Sequence, residues 1–167
     1  MHHIKYNIIL FLFIINHIIF SQNNQFIRIK GNKFYLGDKQ FYSLGTNAYY
    51  LHSLSCKGDT NSIKELFEQV KRMNMNTIRI WAFSESDKKD IFTLHYAPYS
   101  YNDESFIKLD YVLQTGRRYN IKFILTLCNN WNDFGGVRQY LMWFASRENK
   151  NITEEHQVKV ITSQINK

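Results

Sequence analysis

Cysteine is scarce: Cys56 and Cys128 are the only two among 167 residues. Neither lies in a CxxC pair and no histidine-rich spacing accompanies them, so no metal is called for. A glycine-rich phosphate loop is also missing. The first strand-like stretch runs into SLGTNAYYLHS, with one glycine and no GxGxxG, which argues against a nucleotide; no cofactor is expected. Lysine and arginine outnumber the acids, 21 to 14, for a net charge of +7. They are nonetheless scattered, in runs of no more than two, with acids between them. A phosphate-binding surface needs a clustered stripe, so the charge reads as a solvated surface and nucleic acid is excluded as a partner. Nor does any apolar run reach the ~20 residues of a membrane-spanning helix.

The longest apolar run is at the start. MHHIKYNIILFLFIINHIIFSQ has a basic beginning, an apolar middle from about Ile8 to Phe20, and the small residue Ser21 before polar QNNQ. That is the layout of a secretory signal peptide, residues 1–21, rather than an anchor, since no basic stop-transfer cluster follows. The expected product is a secreted, extracellular chain of residues 22–167 that leaves the membrane after cleavage. In such a chain the two cysteines could pair, although Cys128 closing an apolar strand also suits a free thiol acting as a small hydrophobe. Asn151, in NIT, is then a glycosylation acceptor.

The period of the apolar residues changes along the rest of the chain. FIRIKGNKFYLGDKQFYSLGTNAYY predicts two short strands around Gly31-Asn32, a turn at Gly37-Asp38, and a third strand near Phe41 to Thr46. DTNSIKELFEQVKRMNM places Ile63, Leu66, Phe67, Val70 and Met73 on one helical face, with Ser62 and Glu65 at capping-box spacing. NTIRIWAF is a near-continuous apolar run, expected to be a strand buried on both faces. DESFIKLDYVLQTGRRYN is a second helix with Phe106, Leu109, Val112 and Leu113 inward and Asn120 as C-cap. IKFILTL is a second buried strand, and VRQYLMWFASRE and TEEHQVKVITSQIN are two further helices.

This order, a hairpin followed by repeated βα units, predicts an α/β fold with a parallel sheet, either doubly wound or a (β/α)8 TIM barrel. A closed barrel needs about 250 residues, so the chain is read as the first three units of something larger.

Chemistry in parallel β/α folds gathers beyond the C-terminal ends of the strands. The first strand ends with Asn47, Tyr49 and Tyr50. The second carries Arg79 and Trp81, two apart and on one face. The third runs into CNNWNDFGG with Asn129, Asn130 and Trp131. Amides and a guanidinium suit sugar hydroxyls, while indole and phenol rings suit the C–H face of a pyranose. An arginine in a buried strand also needs a partner, and beside a carboxylate it would keep that carboxylate ionised. Each residue has a plainer reading: Arg79 paired with Asp110 or another helix acid, Trp81 as core, the asparagines as turn residues, Gly135-Gly136 as a loop. The coincidence at three strand ends favours a saccharide.

FIRIKGNKFYLGDKQFYSLGTNAYYL, NTIRIWAF, LDYVLQTGRRYNIKFILTLCNNWNDFGGVRQYLMW and HQVKVITSQIN resemble, in that order, the N-terminal half of endo-1,4-β-mannanases of glycoside hydrolase family 5. The resemblance implies a (β/α)8 barrel that cleaves internal β-1,4 bonds of mannan with retention, using two glutamates about 5 Å apart. It implies that Arg79 matches the arginine hydrogen-bonded to the nucleophile, that Trp81, Asn129, Asn130 and Trp131 line the cleft, and that Asn47 and Tyr50 lie in the first-strand motif. Tyr50 stands where a tryptophan is usual. β-Mannan or a related polysaccharide is the implied partner.

The departures concern the reaction itself. The family's acid/base glutamate follows an asparagine, and this sequence has no Asn-Glu pair. No catalytic residue is assigned: Glu85, Asp87, Asp90 and Asp133 have no spacing argument behind them. The expectation is an inactive fragment of a secreted mannanase. The alternatives are a non-catalytic secreted carbohydrate binder, and two fragments assembling into one barrel.

Overall fold

The computed structural model describes residues 26–131 and 133–147. The stretch expected to be a signal peptide, Asn151 and the helix expected at TEEHQVKVITSQIN lie outside the described residues. The chain divides into two compact units, residues 1–42 and 43–167.

In the first unit, β1 (Ile27–Lys30), β2 (Lys33–Leu36) and β3 (Lys39–Phe41) form an antiparallel meander. Gly31 and Gly37 adopt φ of 60° and 62° at its two turns, where a side chain would be strained. Both turns fall where the sequence placed them. The expected third strand divides, however. Its first half is β3, and its second half is β4 (Gly45–Asn47), which belongs to the other unit.

There β4 pairs in parallel with β5 (Thr77–Trp81), and β5 with β8 (Lys122–Thr126), in the spatial order β4-β5-β8. Three helices lie between these strands: α1 (Leu51–Cys56), α2 (Thr60–Arg72) and α3 (Asp103–Arg118). A small hairpin, β6 (His95–Ala97) with β7 (Ser100–Tyr101), precedes α3, and α4 (Gly136–Arg147) follows β8. Parallel strands that neighbour one another in chain order suit a barrel wall and equally one half of a doubly wound sheet.

Local chemistry explains the helix limits. Asp59 caps α2 by accepting from Ser62 N–H at 3.1 Å, so the cap lies three residues before the expected Ser62. Beyond α2, Asn74 adopts φ 55° and Met75 N–H reaches back to Val70 O at 3.0 Å. Asn120 (φ 58°) and the Ile121 N–H bond to Gly116 O, also 3.0 Å, repeat that closure after α3. Acids open α3 and arginines close it, matching its dipole.

The core lies between one face of the sheet and the helices. Ile78 and Ile80 of β5 pack there with Leu51, Ile63, Phe67, Val70, Leu109 and Val112. Gly116 permits a close approach, since a β-carbon there would come within 2.3 Å of the Phe123 ring. The other face of the sheet is open. Neither β5 nor β8 is buried on both faces as the sequence suggested: Arg79 is exposed, and so are Ile124, Leu125 and Leu127. In central β5 burial alternates beyond Ile78, whereas β8 lies at the edge of the described sheet and exposes the consecutive residues Ile124 and Leu125, one on each face.

Candidate functional site

The parallel register brings Asn47 opposite Arg79, and Arg79 Nη1 donates to Asn47 Oδ1 at 3.3 Å. Arg79 is therefore not a buried cation requiring a helix acid such as Asp110. It stands in solvent on the open face, partnered by an amide. Trp81, two residues on, continues the same face and is half-buried. Its ring lies 4.7 Å from Tyr49, 5.2 Å from Phe83 and 5.0 Å from Phe134, the last edge-on. Tyr49 meets Tyr50 edge-on at 5.5 Å. The strand ends thus carry a row of rings beside the guanidinium–amide pair. Among the described residues Tyr50 joins it through Tyr49, and Phe134 was not anticipated at all.

The loop after β8 is built by its own asparagine. Asn129 Oδ1 accepts from Trp131 N–H at 3.0 Å and its Nδ2 donates to Asp133 O at 3.2 Å. Both ends of that amide are committed within the loop. Asn130 and Trp131 are presented outward, Trp131 with 77% of its surface exposed. Gly135 (φ 95°) and Gly136 (φ 66°) then turn the chain into α4. A β-carbon on Gly136 would lie 2.2 Å from Asn129 O, so the turn tolerates no larger residue without shifting.

Beneath this loop lies a cluster that spacing could not reveal. Glu85, 4% exposed, accepts from Gly136 N–H at 2.8 Å through Oε2 and from the Tyr140 hydroxyl at 3.2 Å through Oε1. Burial raises the Glu85 carboxyl above its ordinary range, against the pull of those two donors. Burial, reinforced by the Glu85 charge, also raises the Tyr140 phenol. With its proton on Glu85, Tyr140 accepts from His95 Nδ1–H at 3.0 Å. His95 stacks on Tyr101 at 4.6 Å, and burial lowers its pKa. Its Nε2 is buried without a hydrogen-bond partner among the described residues. Asp87 accepts from Gln139 and from the Trp143 indole. Glu85 and Asp87 therefore tie the loop after β5 to α4. A carboxylate four positions past a strand and a tyrosine on a later helix share no sequence period.

Cys56 and Cys128 are free thiols. Cys56 donates to Ile91 O at 3.1 Å, and burial pushes its pKa up to about 11. Among the described residues no group of three His, Cys, Asp or Glu side chains could hold a metal ion.

A parallel α/β unit whose strand ends gather amide, guanidinium and aromatic groups has the make-up of a carbohydrate-active β/α protein. The model of the glycoside hydrolase family 5 β-mannosidase-like family matches residues 24–164, and the chain belongs to that family. It is 35% identical over 134 residues to mannan endo-1,4-β-mannosidase 4 of Solanum lycopersicum, covering 80% of this chain and 33% of that protein. It is 38% identical over 123 residues to mannan endo-1,4-β-mannosidase 7 of Arabidopsis thaliana, covering 73% and 28%. Among solved structures, the endo-1,4-β-mannanase of Rhizomucor miehei aligns with TM-score 0.62 and 28% identity, over 82% of this chain and 40% of that one. The family 5 mannosidase of the same organism aligns with TM-score 0.67 and 25% identity, over 83% and 37%. The chain spans about a third of the length of these curated relatives.

Proposed function

We propose that this chain forms the first three βα units of a (β/α)8 barrel, preceded by a β-meander, and contributes part of the saccharide cleft of a secreted endo-β-1,4-mannanase. The observation that carries the reading is the Asn47–Arg79 pair beside the Tyr49–Trp81–Phe134 row, at the strand ends where β/α enzymes bind substrate. Arg79, Trp81, Asn130 and Trp131 are the groups offered to a β-mannan chain. Asn129 holds the loop in shape, and Asn47 and Tyr50 support Arg79 and Tyr49. Both curated relatives carry the mannan endo-1,4-β-mannosidase name, which supports mannan over other polysaccharides.

The retaining reaction needs two carboxylates about 5 Å apart facing the scissile bond. Two carboxylates near the strand ends are committed to α4: Glu85 accepts from Gly136 and Tyr140, and Asp87 from Gln139 and Trp143. With those two committed to the fold, the reading assigns the acid/base and the nucleophile to other parts of the enzyme, and the expectation is that this chain alone binds mannan without cleaving it. The supporting result is retention on a mannan affinity gel with no release of reducing ends. Reducing ends released by the purified 167-residue chain would overturn the division of labour; passage through the gel would remove the saccharide reading. Export is tested separately, by sequencing the N-terminus of the secreted product, which should begin at Gln22.

A further inference from the structure

We infer that Glu85 is a positioning residue: it sets where Trp131 stands without touching a saccharide. The role deepens the cleft proposed above and rests on it only for the ligand.

Trp131 makes no ring contact among the described residues, so its place is fixed through the backbone. Its N–H is held by Asn129 Oδ1, and Asn129 O in turn accepts from Val137 N–H at 2.8 Å, in the first turn of α4. The position of that turn depends on Glu85. Gly136 and Tyr140 are four residues apart on one side of α4, and each donates to a different oxygen of the same carboxylate. A two-point grip of this kind fixes the start of a helix both along its axis and about it. The backbone completes the clamp: Glu85 N–H donates to Phe134 O at 2.9 Å, and Gly135 lies so close that a β-carbon would come within 2.3 Å of Glu85 O. The path from carboxylate to indole is therefore Glu85, Gly136-Val137, Asn129, Trp131.

A buried carboxylate with no cation paired to it among the described residues is a costly way to fill space. An amide or apolar side chain would fill the same volume. A carboxylate can accept at both oxygens at once from the start of a helix, where negative charge is favoured. Glutamine has one acceptor oxygen and an NH2 that faces a donor.

The experiment compares the full chain with Glu85→Gln and Tyr140→Phe, each variant removing one arm of the grip. Amide hydrogen exchange is followed at Trp131, Val137 and Ile80, and mannohexaose affinity is measured on the same samples. In Glu85→Gln, exchange at Trp131 and Val137 should rise about tenfold, the loss of one charge-assisted bond, while Ile80 stays unchanged. Tyr140→Phe should move the same two amides by a smaller factor. Mannohexaose affinity should fall with the exchange protection. Unchanged exchange at Trp131 and Val137 overturns the inference, and so does an equal rise at Ile80, which would mark a general packing role. If no protein binds mannohexaose, the saccharide reading fails, while the exchange data still decide the role of Glu85.

Discussion

Asn47 and Arg79 occupy one register position on adjacent parallel strands, joined by a 3.3 Å bond from guanidinium to amide. Both are exposed, so the bond is solvated and adds little to stability. Its effect is to aim the guanidinium across the open face of the sheet, beside Trp81.

Asn47→Ala should therefore lower stability by less than about 1 kcal/mol. Mannan binding should weaken more than that figure suggests, because Arg79 loses the partner that orients it. Urea unfolding and gel retention on the same preparation separate the two effects.

Phe67 makes the opposite prediction. It is fully buried between α2 and the sheet, with Tyr119 at 5.6 Å and Phe123 at 6.1 Å. Phe67→Ala should cost about 3–5 kcal/mol, a large part of the ~5–15 kcal/mol of an ordinary domain. Thermal melting should show a much lower midpoint, or no cooperative transition.

The turn into α4 should be sensitive too, though less than the core. In Gly136→Ala the added carbon meets both a φ of 66° and the Asn129 carbonyl 2.2 Å away. The backbone strain alone is about 1–2 kcal/mol. The protein should remain folded but lose protection at the Trp131 and Val137 amides, as read by hydrogen exchange.

Two kinds of buried group give stability opposite slopes with pH. Burial raises Glu85 above 4.5, so the folded state holds that proton longer, and its contribution is lost as pH climbs from about 4.5 through the folded value. His52 and His95 are lowered below 6.5 by burial, so their contribution, present above 6.5, is lost as pH falls through the folded values. Stability profiles should respond accordingly. Glu85→Gln should flatten the fall on the rising side of pH 4.5, and His52→Asn the fall below 6.5. Melting midpoints at half-unit steps from pH 4 to 8 check both.

The fold was legible where a period or a turn residue spoke for it. Ile63, Phe67 and Val70 recur at helical spacing and are buried, and Asn120 sits in the left-handed position that closes α3. Elements too short to show a period were missed: six-residue α1, and the β6–β7 pair of three and two residues. NTIRIWAF and IKFILTL looked buried on both faces because composition cannot say how many layers cover a sheet. The site was legible as residue types at strand ends. That Asn129 spends its amide on its own loop, or that Glu85 grips α4 from 51 residues away, depends on contacts that only the folded chain creates.

The central claim is that the strand-end face is a saccharide cleft with Trp131 as an exposed platform. It is tested most directly by titrating mannohexaose into the full chain and into Trp131→Ala. With 77% of Trp131 exposed, the substitution should change the free energy of unfolding by no more than about 0.5 kcal/mol. The account predicts saturable binding by the parent chain, weakened at least about tenfold in the variant, the order expected for one lost aromatic platform. Equal affinity in the two proteins, or no binding by either, would contradict it.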